Sequence, residues 1–280
     1  MLISLIIPVF NGDRKLLNLV RKVSMFRKHY SIEIIIIDSE SNNDTVFKIK
    51  NLYKNMVKVV SNRKGEFNHG LTRNLGVRIA RGKYVCFLSQ DISLINDQFI
   101  HRFTHYLDEI PRAVAIFGKQ YPYHNASAIE KLNNRLFYSA LGQYSNKEGV
   151  VIQDINNKFA PLNSKNYLLW YSLSNVFACY KRSFLLKNPF PETTYGEDIL
   201  IGKRIIEKKL IKIYDTKSAC YHSHNLSLQE FMKRQLLELH LKNNLNIPRD
   251  RMSLKITYIL HQKWSLFKKL NILEPNILDP

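Results

Sequence analysis

Leu2-Ile3-Ser4-Leu5-Ile6-Ile7-Pro8-Val9-Phe10 opens the chain, and Ile32-Glu33-Ile34-Ile35-Ile36-Ile37-Asp38 follows it. Both runs are apolar, rich in β-branched residues and free of polar alternation, which is the pattern of strands buried on both faces. Between them lie the turn-forming and helix-capping residues Asn11-Gly12-Asp13. After these, Leu16, Leu19, Val20, Val23 and Phe26 recur at helical spacing. A polar loop, Ser39 to Asp44, leads to a second helical pattern through Val46, Ile49, Leu52 and Tyr53. A short third strand spans Val57 to Val60. Strand, helix, strand, helix, strand predicts an α/β fold, a mainly parallel, Rossmann-like sheet flanked by helices. In such sheets ligands bind outside the carboxyl ends of the strands. The residues that end strands are therefore the first candidates for chemistry.

Further on, Leu71 to Arg81 reads as a helix and Lys83 to Leu88 as a strand ending in Ser89-Gln90-Asp91. A helix is expected from Gln98 to Leu107 and a strand from Val114 to Phe117. The pattern weakens between Tyr121 and Lys165. Leu168 to Tyr180 is apolar again, Arg204 to Leu210 looks helical, Ile211 to Tyr214 reads as a final strand, and Leu226 to Leu245 as an amphipathic helix. The expected division is a sheet domain over residues 1–222 and a C-terminal helical extension over 223–280.

The chain has 280 residues, of which 45% are hydrophobic and 23% charged, values of a globular protein. Lys and Arg number 42 against 23 Asp and Glu, a formal charge of +19. Such a surface attracts anions without choosing among nucleic acid, anionic lipid and phosphorylated substrates. Helix-turn-helix, RNA-binding and zinc signatures are missing, and the cations are spread along the chain, which argues against nucleic acid. A nucleotidylyltransferase would carry a glycine-rich basic loop where Asn11-Gly12-Asp13 stands. Cys86, Cys179 and Cys220 are far apart and lack metal-ligand spacing, so they read as separate, reduced, buried thiols in a cytosolic setting. There is no signal-peptide pattern and no apolar run long enough for a membrane span.

Four acidic or histidine-bearing segments carry the candidate chemistry, each with a plainer alternative. Asp38 and Asp91 end apolar strands; a carboxylate there is a turn former or a ligand contact, and one carboxylate can hold a hard divalent cation. Glu197-Asp198 follows Gly196. Paired acids complement a helix N-terminus, or serve as a base because one raises the pKa of the other. His222 and His224, two apart, can face one site as ligands or lie idle at the surface. Gly65 to Gly76, with Arg73, opens a helix in a form suited to phosphate but matches neither a dinucleotide nor a P-loop signature.

In order, these segments resemble glycosyltransferase family 2, inverting enzymes of the GT-A fold. Ser4 to Asn11, Ile36 to Thr45, Phe67-Asn68-His69-Gly70 with Thr72-Arg73-Asn74, Phe87-Leu88-Ser89-Gln90-Asp91, Asn175 to Ala178 with Tyr180 to Ser183, Gly196-Glu197-Asp198 and His222-Ser223-His224-Asn225 carry the likeness. Several of these are similar to a rhamnosyltransferase branch. The resemblance implies that Pro8, Phe10, Asp38, Ser41, Arg73, Gln90 and Asp91 contact a nucleotide-sugar donor. It implies that Asp91, His222 and His224 hold Mg²⁺ or Mn²⁺, and that Asp198, with Glu197, is the catalytic base. The implied reaction passes a sugar, rhamnose from dTDP-rhamnose by branch resemblance, to a glycan or lipid-linked saccharide in surface polysaccharide synthesis. The chain departs from the family pattern at Ser89, where many relatives carry the first Asp of D-x-D. The alternative is therefore a catalytically impaired sugar-nucleotide-binding protein. The resemblance also makes the basic tail a peripheral contact with the inner face of the cytoplasmic membrane. There Lys233, Arg234, Lys242, Arg249, Arg251, Lys263, Lys268 and Lys269 are interleaved with Leu, Trp264 and Phe267. The plainer alternative for the tail is a solvated helix face.

Overall fold

A computed structural model describes residues 1–62, 68–156, 162, 166–193, 195–224 and, farther on, 230, 233–234, 236–238, 241–242 and 245. Contacts divide the chain into two units, Met1–Lys158 with Tyr171–His224, and Phe159–Trp170 with Asn225–Pro280. Every candidate site residue belongs to the first unit. Gly65 to Phe67 of the glycine-bearing motif, Asn225 and the tail beyond Leu245 lie outside the described residues, as does most of the helix expected over Leu226 to Leu245. In the second unit Tyr167 Oη donates to Glu238 Oε1 at 2.8 Å, and Lys242 lies 3.5 Å from the same carboxylate.

The elements, in order, are β1 (Ile3–Val9), α1 (Arg14–Phe26), β2 (Ile32–Asp38), α2 (Thr45–Leu52), β3 (Val57–Ser61), α3 (His69–Ile79), β4 (Tyr84–Leu88), β5 (Ser93–Leu94), α4 (Gln98–Glu109), β6 (Ala113–Tyr121), α5 (Ala128–Gly142), β7 (Val150–Gln153), α6 (Tyr167–Tyr171), β8 (Phe177–Lys181), α7 (Arg182–Lys187), α8 (Glu197–Glu207) and β9 (Ile211–Tyr221). Among the described residues nine strands form one sheet, ordered β3-β2-β1-β4-β8-β6-β9-β5, with β7 on β9. Strands β1 to β4 are mutually parallel. β8 runs against both β4 and β6, and β6 and β9 are parallel. The carboxyl ends of β1, β2, β4, β6 and β9 therefore meet the amino end of β8 at one edge. The mixed α/β sheet is the expected class.

Both faces are covered, which is why the strands read as unbroken apolar runs. Leu16, Leu19, Val20 and Val23 of α1, with Phe99, Phe103 and Leu107 of α4, pack on one face against Leu5, Ile7, Cys86, Leu88 and Phe177. Phe99 stands edge-on to Phe177 with ring centroids 4.9 Å apart, an arrangement worth about 0.5–1.5 kcal/mol beyond its burial. On the other face α3 comes close because residue 76 is glycine. A Cβ there would lie 2.7 Å from Ile6 Cγ2. Phe87, Tyr180 and Phe190 form an aromatic cluster on that side.

The structure corrects three boundaries and one pairing. α8 begins at Glu197 rather than near Arg204, β9 runs on to Tyr221, and β6 continues through Gln120 to Tyr121. Of the three cysteines expected as separate reduced thiols, Cys86 and Cys179 are joined as a disulfide, leaving Cys220 free and buried. They lie 93 residues apart and become neighbours only because β4 and β8 pair in antiparallel register, Cys86 opposite Cys179. Among the described residues no helix is long and apolar enough to cross a membrane.

Candidate functional site

The chemistry-bearing residues gather at the edge where the strand ends meet. Beyond β4 the chain turns and pairs as β5 with the end of β9, Ser93 opposite Tyr221 and Leu94 opposite Cys220. That pairing sets Asp91 beside the residues that leave β9. His222 Nε2 stands 3.6 Å from Asp91 Oδ1, and His224 Nδ1 stands 3.8 Å from Asp91 Oδ2. One ligand atom from each residue falls within 4.8 Å of the others. The two imidazoles meet edge to face, 4.6 Å between centroids.

Around this cluster, Gln120 Oε1 lies 2.9 Å from His222 Nδ1, and Gln120 Nε2 donates to Ser174 Oγ at 2.7 Å. A carbonyl oxygen on Nδ1 calls for a proton there, which leaves Nε2, the nitrogen on the Asp91 side, as the ring's ligand atom. Tyr123 Oη donates to the Asp91 carbonyl at 2.9 Å. The residues present thus fit a divalent ion. One carboxylate and two imidazoles form the donor set, and a hydrogen bond behind one imidazole fixes its tautomer.

On the neighbouring strands Asp38 ends β2 and accepts from Ser41, from its hydroxyl at 2.6 Å and from its amide at 3.3 Å. Ser41 Oγ accepts in turn from the Asn11 amide at 2.9 Å. This ties the loop after β2 to the loop after β1. Gln90 clamps the Phe10 backbone from both sides, accepting from its amide and donating to its carbonyl, each at 3.0 Å. The clamp leaves the Phe10 side chain 48% exposed, an apolar ring held at the mouth of the edge. Pro8 is half-buried beneath it. Asn11 and Glu40 both carry positive φ, 49° and 59°, conformations an L residue holds only when neighbours impose them.

The third group comes from α8. Gly196 precedes the helix with φ 77°, a left-handed conformation that suits glycine, and turns the chain so that Glu197 and Asp198 form its first turn. Arg73, from α3, pairs with the first of these two acids. Its Nη1 donates to Glu197 Oε1 at 2.7 Å, with both side chains 7% exposed. Asn175 Nδ2 also donates to Glu197 Oε1, at 3.3 Å, and Tyr180 Oη donates to Asn175 Oδ1 at 2.6 Å. Asp198 accepts the Ile199 amide at 2.9 Å. Asp198 is half-buried. Burial first, then the charge of Glu197, pushes it up to about 7, against the pull of Arg73. A carboxyl at that value takes up and gives back a proton near neutral pH.

The structure thus brings Asp91, His222 and His224 into one cluster, Pro8, Phe10, Asp38, Ser41 and Gln90 into a second, and Glu197, Asp198 and Arg73 into a third. Sequence reading missed Gln120 and Tyr123, and it named Asn175 and Tyr180 only within a family-like segment, without a role. A glutamine at the end of a buried strand was the available signal for the first. The Asn175–Glu197 contact leaves no local trace in the sequence.

Comparison with known proteins follows from this geometry. The profile described as Glycosyl transferase family 2 matches residues 4–158. The O-antigen chain rhamnosyltransferase RfbN of Salmonella typhimurium is 29% identical over 237 residues, 84% of this chain and 70% of that protein. Staphylococcus aureus TarS 1-349, solved in complex with UDP-GlcNAc, superposes with a TM-score of 0.60 at 19% identity, covering 81% of this chain but only 60% of that one. A mannosyltransferase from Pyrobaculum calidifontis, in complex with GDP-Man and Mn²⁺, gives 0.61 at 14% identity, covering 92% and 68%. These two likenesses establish the GT-A fold.

Proposed function

Because this chain belongs to glycosyl transferase family 2, we propose that it is an inverting, metal-assisted glycosyltransferase of polysaccharide synthesis. Its donor is rhamnose carried on dTDP, and its acceptor is a glycan or lipid-linked saccharide. The observation that carries the reading is the Asp91, His222 and His224 cluster, set at the strand-end edge that also bears the Phe10 clamp. RfbN, whose name specifies an O-antigen chain rhamnosyltransferase, supports the choice of sugar and pathway.

In this reading Phe10 stacks on the nucleotide base, and Asp38, steadied by Ser41, accepts hydrogen bonds from the nucleoside. Asp91, His222 and His224 hold Mn²⁺, and Gln120 and Tyr123 keep the cluster in shape. When bound, the ion supplies positive charge against the donor diphosphate. Asp198 takes the proton of the acceptor hydroxyl, for which a carboxyl near 7 is suited. Glu197 does not touch substrate. It is a positioning residue, held by Arg73 and Asn175, whose negative charge raises Asp198.

The test is a thermal-shift screen of dTDP-rhamnose, UDP-glucose, UDP-galactose, UDP-N-acetylglucosamine and GDP-mannose, each with and without Mn²⁺, followed by donor turnover. A Mn²⁺-dependent rise with dTDP-rhamnose is expected, since a ligand of the folded state raises its apparent stability. A rise with another donor overturns the sugar assignment. Donor binding without hydrolysis or transfer would return the impaired-enzyme alternative.

A further inference from the structure

The exposed face of α1 carries charge of one sign. Between Asp13 and Tyr30 stand Arg14, Lys15, Arg21, Lys22, Arg27 and Lys28 with no acidic residue among them. On a helix, residues seven apart lie on nearly the same face, about 10 Å apart along the axis. Arg14 with Arg21, and Lys15 with Lys22, therefore form two parallel rows of cations.

The rows border a groove of about 900 Å³ between α1 and the segment through β5. Lys15, Arg21, Lys22 and Lys28 line one side. Lys22 pins the walls together, its Nζ donating to the carbonyls of Leu94 and Ile95. Asp97, the acid on the opposite wall, faces His29 Nδ1 at 3.2 Å. Arg21 and Lys28 remain exposed. At its upper end the groove reaches Tyr123, whose ring lies 4.6 Å from Lys15 Nζ and whose hydroxyl binds the Asp91 carbonyl.

We propose that this groove is an acceptor subsite for an anionic, phosphate-bearing chain, which it leads toward the Asp91 cluster. The assignment rests on the glycosyltransferase reading and adds to it the chemical class of the acceptor. A concave channel with cations at repeated intervals suits an extended chain of spaced anions. A membrane surface is met by a protruding face bearing large apolar groups, and the one large exposed apolar residue of α1, Met25, lines the groove instead. The groove ends at Tyr123, whose hydroxyl binds the Asp91 carbonyl, and this nearness to the Asp91 cluster favours substrate over a remote anchor.

The experiment measures binding of linear polyphosphate of defined length to the full chain, across a salt series. Arg21→Ala/Lys28→Ala is compared with Lys187→Ala/Lys208→Ala, which removes equal charge from exposed positions elsewhere. The groove variant is expected to bind about tenfold or more weakly, with a shallower salt dependence, as for two lost charge-assisted contacts. The control should stay within about twofold, and both should keep the Mn²⁺-dependent donor shift. Equal loss in both variants, or loss in neither, overturns the proposal, because binding is then diffuse. Loss of binding to phosphatidylglycerol vesicles with polyphosphate binding intact also overturns it, in favour of a membrane surface. If polyphosphate binds through the groove but no nucleotide sugar binds the protein, the transferase reading fails separately, and the groove is an anion site without an acceptor role.

Discussion

Replacing Asp198 by asparagine should inactivate the protein and stabilise it, and the stabilisation should depend on pH. Burial and Glu197 raise the Asp198 carboxyl from an ordinary value near 4 to about 7. The folded state therefore holds a proton between those limits that the unfolded state has released. Stability from this group is complete below about pH 4 and is lost as pH rises through 7. Ionising a carboxyl raised in this way costs the folded state on the order of a few kcal/mol. Asparagine never ionises and escapes the cost. In urea titrations, Asp198→Asn should gain on the wild type by on the order of a few kcal/mol as pH rises from about 4 to about 8. Turnover should fall by about two to four orders of magnitude, the usual worth of a general base. Wild-type kcat/KM should rise through an apparent pKa near 7, and the variant's residual rate should show no such rise. A variant that keeps more than a tenth of wild-type turnover refutes the assignment of the base. A stability difference constant between pH 4.5 and 8 refutes the raised carboxyl.

Three further outcomes are expected. Arg73→Met strands the buried Glu197 carboxylate and should cost about 3–5 kcal/mol in urea unfolding; adding Glu197→Gln should recover most of it. Gln120→Leu removes the acceptor on His222 Nδ1 and should weaken Mn²⁺ binding about 10–100-fold by calorimetry of the folded protein, an effect of the shell behind the ligands. Phe10→Ala leaves the Gln90 clamp, which engages only backbone, and should raise the donor Kd by about tenfold through lost base stacking, with kcat little changed.

What the sequence made legible was what local physics dictates. Ile34 to Ile37 had to be a buried strand, and Asp38 had to end it, because a carboxylate after such a run lies at the sheet edge. Asp13 was readable as a cap, and its side chain accepts from Lys15 as a cap should. Contacts joining distant segments were not readable. Arg73 and Glu197 are 124 residues apart, and only the approach of α3 to the start of α8 makes them partners. The Cys86–Cys179 pair depends on the register of β4 with β8. The start of α8 was legible only as the plainer alternative for Glu197 and Asp198, an acidic helix N-terminus, because the two acids break the apolar periodicity of the helix they begin. Gln120 was hidden in a strand predicted to stop at Phe117.

The two carboxylates in sequence, Glu197 and Asp198, are divided by their surroundings rather than by their chemistry. Glu197 faces the core, where Arg73 Nη1 and Asn175 Nδ2 both donate to its Oε1. These contacts anchor the Glu197 carboxylate within a buried ion pair. Asp198, one residue on and about 100° around the helix, has no ion-pair partner among the described residues and meets the buried negative charge of its neighbour. The same ion pair that fixes Glu197 therefore tunes Asp198 from both sides, Glu197 raising it and Arg73 lowering it. This explains why an arginine that resembled a phosphate contact in the sequence is buried instead. Its charge keeps Asp198 from being driven so high that it would stay protonated, and so unable to act as a base, at neutral pH.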